Sequence, residues 1–222
     1  GIQVYCMMRY IDENYPNCKM MGRVSDFKLF KGFNLLNLDF NEQYSYFYLL
    51  MARKNLDQPL GAPKNTLIKF NEQIASKYRA GLSLIYLDEY VGNQFVSKSI
   101  QQFNAENKEK QSSRSVFEKT LKSNTNKDID WFFNTIVDSR EIIDYKFSNV
   151  SKTKDSVTFS IRNRTNVSVP IPIYGIKNDT IVFKKWIETT KKDSIYTFER
   201  KEAQKIVINY KNEVPEFNLR NN

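Results

Sequence analysis

Residues 77–92 read KYRAGLSLIYLDEYVG. After Lys77 the stretch is apolar on almost every side of a helix, and Gly92 is a typical helix end. The pattern predicts a helix in a protein core that begins at a tyrosine, Tyr78. A glycine inside a helix costs about 1 kcal/mol relative to alanine, so Gly81 indicates close packing against another helix. Asp88 and Glu89 point about 100° apart, and we therefore expect a solvated face rather than a catalytic carboxylate pair.

Helical patterns extend on both sides of this stretch. The apolar residues of segment 2–15 fall on one helical face, and Pro16 ends that helix. This predicted inner face consists of Val4, Met7, Met8, Ile11 and Tyr15. Residues 22–40 are ambiguous between a short helix and a loop, and Pro59, Gly61 and Pro63 predict a loop. Further helices are predicted at 41–54, at about 65–76, around Val96–Phe103, after an N-cap at Ser112 or Ser113, and after an N-cap at Asp128.

The period of the pattern changes near residue 145. Short runs rich in β-branched and aromatic residues follow, separated by polar turns. Pro170 and Pro172 favour an edge strand over a central one. The sequence thus predicts an α+β protein of two modules: an all-helical lobe over residues 1–145 and a small antiparallel β-sandwich over residues 146–222. The predicted strands are SVTFSIRNR, VPIPIYGI, TIVFKKWIE, SIYTFER and KIVINY.

The net charge of +9 is concentrated in the second module. Residues 1–145 carry 19 Lys and Arg against 17 Asp and Glu, whereas residues 146–222 carry 15 against 8. The lysines are scattered through strand-like sequence without a nucleic-acid motif, so a solvated basic face is favoured and no nucleic-acid partner is predicted. No apolar run is long enough to span a membrane.

The chain has no histidine and two cysteines. The lack of histidine excludes histidine-dependent metal sites and Ser-His or Cys-His nucleophile pairs within this sequence. Cys6 lies in an apolar helical pattern, which predicts a buried free thiol, although a disulfide with Cys18 stays open. The spacing of the two cysteines is no zinc motif.

Three segments, in order, resemble the aminopeptidase N family of zinc metallopeptidases, the gluzincins. They are the Y-x-x-G of Tyr78–Gly81 followed by YLDEYVG, an amphipathic helix with Phe103 followed by SVFEKTL, and KDIDWFFNTIVDSREIIDYKF at residues 127–147. The last is the most specific. The resemblance covers residues 1 to about 147 by motif and the predicted sandwich by position only.

The resemblance implies a zinc peptidase that removes N-terminal residues from peptides, of which this chain would be the C-terminal part. The family's H-E-x-x-H helix and its glutamate zinc ligand would lie upstream of Gly1, so we expect a longer polypeptide whose upstream half is this chain's partner. Zinc would belong to that longer protein. The chain by itself is expected to bind none and to be inactive.

Tyr78 matches the family tyrosine whose hydroxyl donates a hydrogen bond to the oxyanion formed at the scissile carbonyl. A phenol ordinarily keeps its proton at neutral pH and can donate without adding charge. The family usually has an acidic residue and a lysine before the glycine, where this chain has Arg79 and Ala80. This departure changes the local charge and leaves the phenol in place.

Two other functions stay open at this point. The protein could be a non-catalytic peptide- or partner-binding module of a degenerate peptidase, or the basic sandwich could bind an acidic surface. Tyr78 itself could be an aromatic residue that packs at the start of a helix with its hydroxyl at the rim.

Overall fold

The computed structural model describes residues 1–22, 38–190 and 192–218 and confirms the α+β class. The ambiguous stretch 22–40 falls mostly outside these ranges. The backbone contacts divide the chain into two compact units, Gly1–Lys127 and Asp128–Asn222. This division lies upstream of the predicted module boundary between residues 145 and 146, since the helical segment from Asp128 groups with the strands. The modules 1–145 and 146–222 stay a prediction.

The first unit is helical. Most of the predicted helices are present, but the segment predicted as a helix at 65–76 is a 3₁₀ turn followed by a π-helix. The elements are α1 (Ile2–Asn14), α2 (Glu42–Arg53), the 3₁₀ turn (Lys64–Thr66), the π-helix (Asn71–Ala75), α3 (Ser76–Val91), α4 (Phe95–Glu106) and α5 (Arg114–Ser123).

Helix α3 forms the centre of this unit. Nine of its sixteen residues are buried and Lys77 alone is exposed, so the predicted core helix is confirmed. Helix α1 crosses it closely at Gly81, where an added Cβ would lie 2.3 Å from Cγ1 of Val4. Gly81 therefore serves close packing between helices, as predicted.

The face of α1 that meets α3 agrees only in part with the predicted one, since Val4 contacts α3 but Tyr5 takes the place of Met7 in the core. Tyr5 and Met8 are buried, whereas Met7 and Cys6 are exposed, so the prediction of a buried Cys6 thiol is wrong. Tyr5 turns inward because its hydroxyl has a buried polar partner. Apolar spacing alone placed Met7 on the inner face and gave the tyrosine no reason to be there.

That partner is Asp88, whose predicted solvated position is also wrong. Its carboxylate is buried, with Oδ2 accepting a hydrogen bond from the Tyr5 hydroxyl at 2.7 Å. Oδ1 accepts one from the backbone N–H of Val96 at 2.9 Å, in the first turn of α4. Burial raises the pKa of the Tyr5 phenol. One carboxylate thus joins α1, α3 and α4.

The second unit begins with a short helical segment and continues as strands. Asp128 Oδ1 accepts a hydrogen bond from the Asp130 N–H at 2.8 Å, which supports the predicted cap. The segment then forms a π-helix over Phe132–Val137. The strands are β1 (Tyr145–Lys152), β2 (Ser156–Asn163), β3 (Pro170–Lys177), β4 (Thr180–Glu188), β5 (Ser194–Glu199) and β6 (Lys205–Ile208).

The strands form two three-stranded antiparallel sheets, with orders β1-β2-β5 and β4-β3-β6. Strand β3 is central, so the prediction that its prolines mark an edge strand is wrong. Strand β6 pairs with Ile173–Ile176, whereas Pro170 and Pro172 pair with β4. Just after β6, the Asn209 N–H donates to the Pro172 carbonyl oxygen at 2.9 Å. The missing proline N–H groups are tolerated because β6 ends before this half of β3, and the backbone bond from Asn209 uses the carbonyl oxygen of Pro172.

Aromatic contacts connect the strands. The Phe198 ring lies 5.4 Å from Phe159 within one sheet and 6.3 Å from Phe183 of the other. Tyr145 is fully buried, and its hydroxyl donates to the carbonyl oxygen of Val167. No helix in the described ranges is long and apolar enough to cross a membrane.

We expect Gly81→Ala to destabilise the protein by about 1–3 kcal/mol, because the added methyl overlaps Val4. Urea unfolding followed by circular dichroism measures the loss. In a Val4→Ala background the cost should fall in part, since the nearer of the two clashing carbon atoms is then absent. An equal cost in both backgrounds would show that α1 and α3 do not cross at this point.

The second prediction concerns alkaline pH. Burial raises the pKa of Tyr145 to about 12 from its ordinary value of 10.0. Between these values the folded state keeps a proton that the unfolded state has lost. The free energy of unfolding should therefore fall as pH rises through this window, by at most about 1.4 kcal/mol per pH unit from this residue.

The matched variant is Tyr145→Phe, with urea unfolding measured from pH 9 to 12. The variant loses stability at neutral pH because a buried hydrogen bond is absent, but its stability should decline less steeply between pH 10 and 12. The same slope in both proteins would contradict a raised Tyr145 pKa.

Candidate functional site

Tyr78 lies inside a continuous helical run rather than at its first turn. The π-helix Asn71–Ala75 leads directly into α3 without a break in helical backbone. The sequence pattern missed this π-helix because its apolar residues do not distinguish it from ordinary helix. Its presence determines which face of the run Tyr78 occupies.

A π-turn takes up one extra residue and shifts the register of the helix. In an ordinary α-helix, residues eight apart lie about 80° apart around the axis. When the π-turn takes up one of these residues, the angle between the two side chains falls to about 20°, in the opposite direction around the axis. Asn71 and Arg79 thus share one buried face, and Phe70 and Tyr78 share the neighbouring face.

The Tyr78 ring lies between two aromatic side chains of α2. The Tyr44 ring is edge-on to it, with centroids 4.7 Å apart and an interplanar angle of 82°. The Phe47 ring is tilted by 58° relative to the Tyr78 ring, and the two centroids are 6.2 Å apart. Residues 41–54 were predicted as a buried aromatic helix, but only the structure shows that Tyr44 and Phe47 contact Tyr78.

The Tyr78 side chain is half-buried. Its hydroxyl forms no hydrogen bond with any residue that the structure describes. A fixed ring with an uncommitted hydroxyl can donate a hydrogen bond to an external acceptor. This arrangement agrees chemically with the predicted role of Tyr78, which stays a prediction.

Arg79, the next residue along α3, is buried. One of its guanidinium nitrogens, Nη1, lies 3.8 Å from Oδ2 of Asp57 and donates to the Gln58 carbonyl oxygen at 3.2 Å. The guanidinium also lies over the Tyr48 ring, 5.6 Å from its centroid. Since the charge is paired inside the unit, Arg79 serves packing and does not place a free cation beside Tyr78.

Asn71, eight residues before Arg79 at the start of the π-helix, fixes the same loop. Its Nδ2 donates to the Leu56 carbonyl oxygen at 2.8 Å and to Oε1 of Gln58 at 2.9 Å. The two polar side chains, Asn71 and Arg79, thus hold residues 56–58 against the helix that carries Tyr78. The π-turn allows both to reach this loop.

No group of three or more His, Cys, Asp or Glu side chains in the described ranges could hold a metal ion. That the chain binds no zinc by itself stays a prediction. A cavity of about 300 Å³ lies at the C-terminal end of α3, and Tyr78 does not line it. Among its described lining residues, Lys98 alone is charged. The cavity is lined by Val91, Gly92, Asn93, Phe95, Lys98, Gln102 and Asn124.

Several cations of the basic segment have partners within the second unit. Lys184 Nζ lies 2.7 Å from Glu213 Oε1 and 5.1 Å from the Trp186 ring, so this lysine packs along the sheet rather than forming a free binding platform. Other pairs join Arg162 to Asp193, Arg164 to Asp144 and Lys177 to Glu202. This pairing weighs against a dedicated acidic-ligand surface.

No family model matches the chain, and no curated protein matches it by sequence. Among solved structures, the fold is similar to that of Legionella pneumophila aminopeptidase A in complex with aspartic acid, with a TM-score of 0.54. The two share 15% sequence identity, and the match covers 80% of this chain and 22% of that one. The chain thus spans about a fifth of that protein's length, and the likeness is one of fold.

The buried ion pair allows a direct test of this part of the site. Arg79→Met should destabilise the protein by about 3–5 kcal/mol, because it leaves the Asp57 carboxylate buried without its cation. The double variant Arg79→Met/Asp57→Leu should recover most of that loss, since no unpaired charge remains. Thermal and urea unfolding measure both, and a double variant as unstable as the single one would contradict the pairing.

Proposed function

We propose that this chain is the C-terminal portion of an aminopeptidase-type metallopeptidase, in which it walls the peptide-binding cleft and supplies Tyr78. The supporting observation is the half-buried Tyr78 phenol, whose ring is held by α2 and whose hydroxyl has no partner in the described ranges. The fold likeness to an aminopeptidase agrees with the proposal. As part of it, the two sheets form a β-sandwich, which the Phe183–Phe198 contact between them supports.

The role proposed for Tyr78 is that of an oxyanion donor. When a peptide carbonyl is attacked, its oxygen gains negative charge, and the Tyr78 O–H donates a hydrogen bond to that oxygen. A donor held in place before the reaction stabilises the developing charge without reorganising, and such a donor contributes on the order of 10²–10³ in rate. The rings of Tyr44 and Phe47 provide the fixed orientation that this requires.

Zinc would belong to the part of the longer protein that precedes Gly1. The sequence contains no histidine, and the described side chains provide no metal-binding group of their own. The chemistry assigned to this chain is therefore limited to holding the peptide and donating from Tyr78. We expect the chain by itself to hydrolyse no peptide, with the upstream half as its partner.

The test uses the longer polypeptide that contains this chain and its upstream sequence. Turnover of an aminoacyl-4-nitroanilide should fall about 10²–10³-fold in Tyr78→Phe, because the hydroxyl alone is removed. Tyr46→Phe is the matched control, since Tyr46 is an exposed tyrosine of α2 and should keep full activity. Circular dichroism should be the same for all three proteins.

Full turnover in Tyr78→Phe would refute the oxyanion role. A longer polypeptide that binds peptides but neither binds zinc nor turns over substrate would instead be a degenerate, non-catalytic peptidase. These two results are distinguishable. The first is obtained with a longer polypeptide that is active, and the second with one that is inactive.

A further inference from the structure

Among the described aromatic rings of the first unit, Tyr44 contacts Tyr78 most closely. Their centroids are 4.7 Å apart and their planes are nearly perpendicular, the edge-to-face geometry that aromatic pairs prefer. Tyr44 is only 5% exposed, so its own position is fixed by the surrounding core. A fixed ring edge-on to another restricts how the second ring can turn.

Two further ring contacts make the arrangement asymmetric. Phe40 contacts the Tyr44 ring at 6.3 Å, so Tyr44 has a second aromatic neighbour besides Tyr78. Phe47, three residues after Tyr44 and on the same side of α2, contacts Tyr78 at a longer distance and is only half-buried. Tyr44 is thus the more rigid of the two rings that bound Tyr78.

The electrostatics agree with this close approach. Burial raises the pKa of the Tyr44 phenol, and the neighbouring Tyr78 phenol raises it further. Tyr44 therefore stays uncharged throughout the neutral range. The Tyr44 ring therefore packs against Tyr78 without placing a negative charge beside the Tyr78 hydroxyl.

We propose that Tyr44 is a positioning residue for Tyr78, which holds the Tyr78 phenol in the orientation that lets its hydroxyl reach the oxyanion. This inference rests on the function proposed above for Tyr78. Tyr44 acts through the second ring and need not touch the substrate. Since a misplacement of about 1 Å can cost on the order of 10²-fold in rate, the loss of this wall should be visible in turnover.

The experiment replaces Tyr44 in the active longer polypeptide. Tyr44→Met fills the space with a flexible side chain that cannot hold a ring edge-on, and we expect kcat to fall about tenfold with KM within about twofold. Tyr44→Phe keeps the ring and should restore nearly full kcat. Tyr10→Met is the matched control and should leave both constants unchanged, since Tyr10 is an exposed tyrosine of α1 whose ring contacts Tyr15.

A double-mutant cycle with Tyr78→Phe separates positioning from folding. If Tyr44 acts on the Tyr78 hydroxyl, Tyr44→Met should cause little further loss once that hydroxyl is absent. A reduced folded fraction would lower kcat by the same factor in both backgrounds, so the cycle stays informative even if the variant is unstable.

Equal losses in both backgrounds, or no loss at all, would overturn the positioning role and leave the role of Tyr78 untouched. Full turnover in Tyr78→Phe alone would instead refute the proposed function on which this inference rests. Each result thus points to one proposal.

Discussion

The polar groups on α3 must find partners inside the protein, because almost every side of this helix is buried. Asp88 is satisfied by a tyrosine of α1 and a backbone N–H of α4, and Arg79 by Asp57 and a carbonyl oxygen of the preceding loop. An unpaired charge at either position would cost several kcal/mol, so these two groups determine which elements surround the helix. Tyr78, on the same helix, is the exception that makes a functional role reasonable. Its ring is packed, while its hydroxyl has no partner in the described part of the chain.

The π-helix before α3 reconciles two sets of contacts that one regular helix could not make. Gly81 and Asp88 fix the rotation of α3 through their close contacts with α1. Asn71 lies ten residues before Gly81 and must still face the loop at residues 56–58. Absorbing one residue in a wider turn satisfies both, and it brings Tyr78 to the side where the aromatic residues of α2 lie. π-Turns are frequent at functional sites. Here the turn is explained by the contacts that the helix makes with α1 and with the loop at residues 56–58.

The sequence predicted the elements well and their environments less well. The helices and strands follow from spacing, glycine and proline positions, which act within a few residues. Asp88 was expected in solvent because a carboxylate is rarely buried, and only a tyrosine 83 residues away makes its burial possible. The prolines of β3 were expected at a sheet edge. They are tolerated in a central strand because β6 is short and pairs with the other half of β3. In each case the deciding partner is distant in sequence, and periodicity carries no information about it.

The same distinction applies to the candidate site. Tyr78 could be singled out from the residues around it, since the Y-x-x-G pattern and the buried helix are local features. Tyr44 could not, because a helix crowded with aromatic residues gives no reason to prefer one of them. The fold likeness does not supply that reason either, as 15% identity preserves the course of the backbone without preserving side chains. What selects Tyr44 is the 4.7 Å edge-on contact together with its burial, and these are properties of packing between α2 and α3. A catalytic phenol needs such a wall, because a hydroxyl on a freely turning ring would spend most of its time away from the carbonyl oxygen that it must reach.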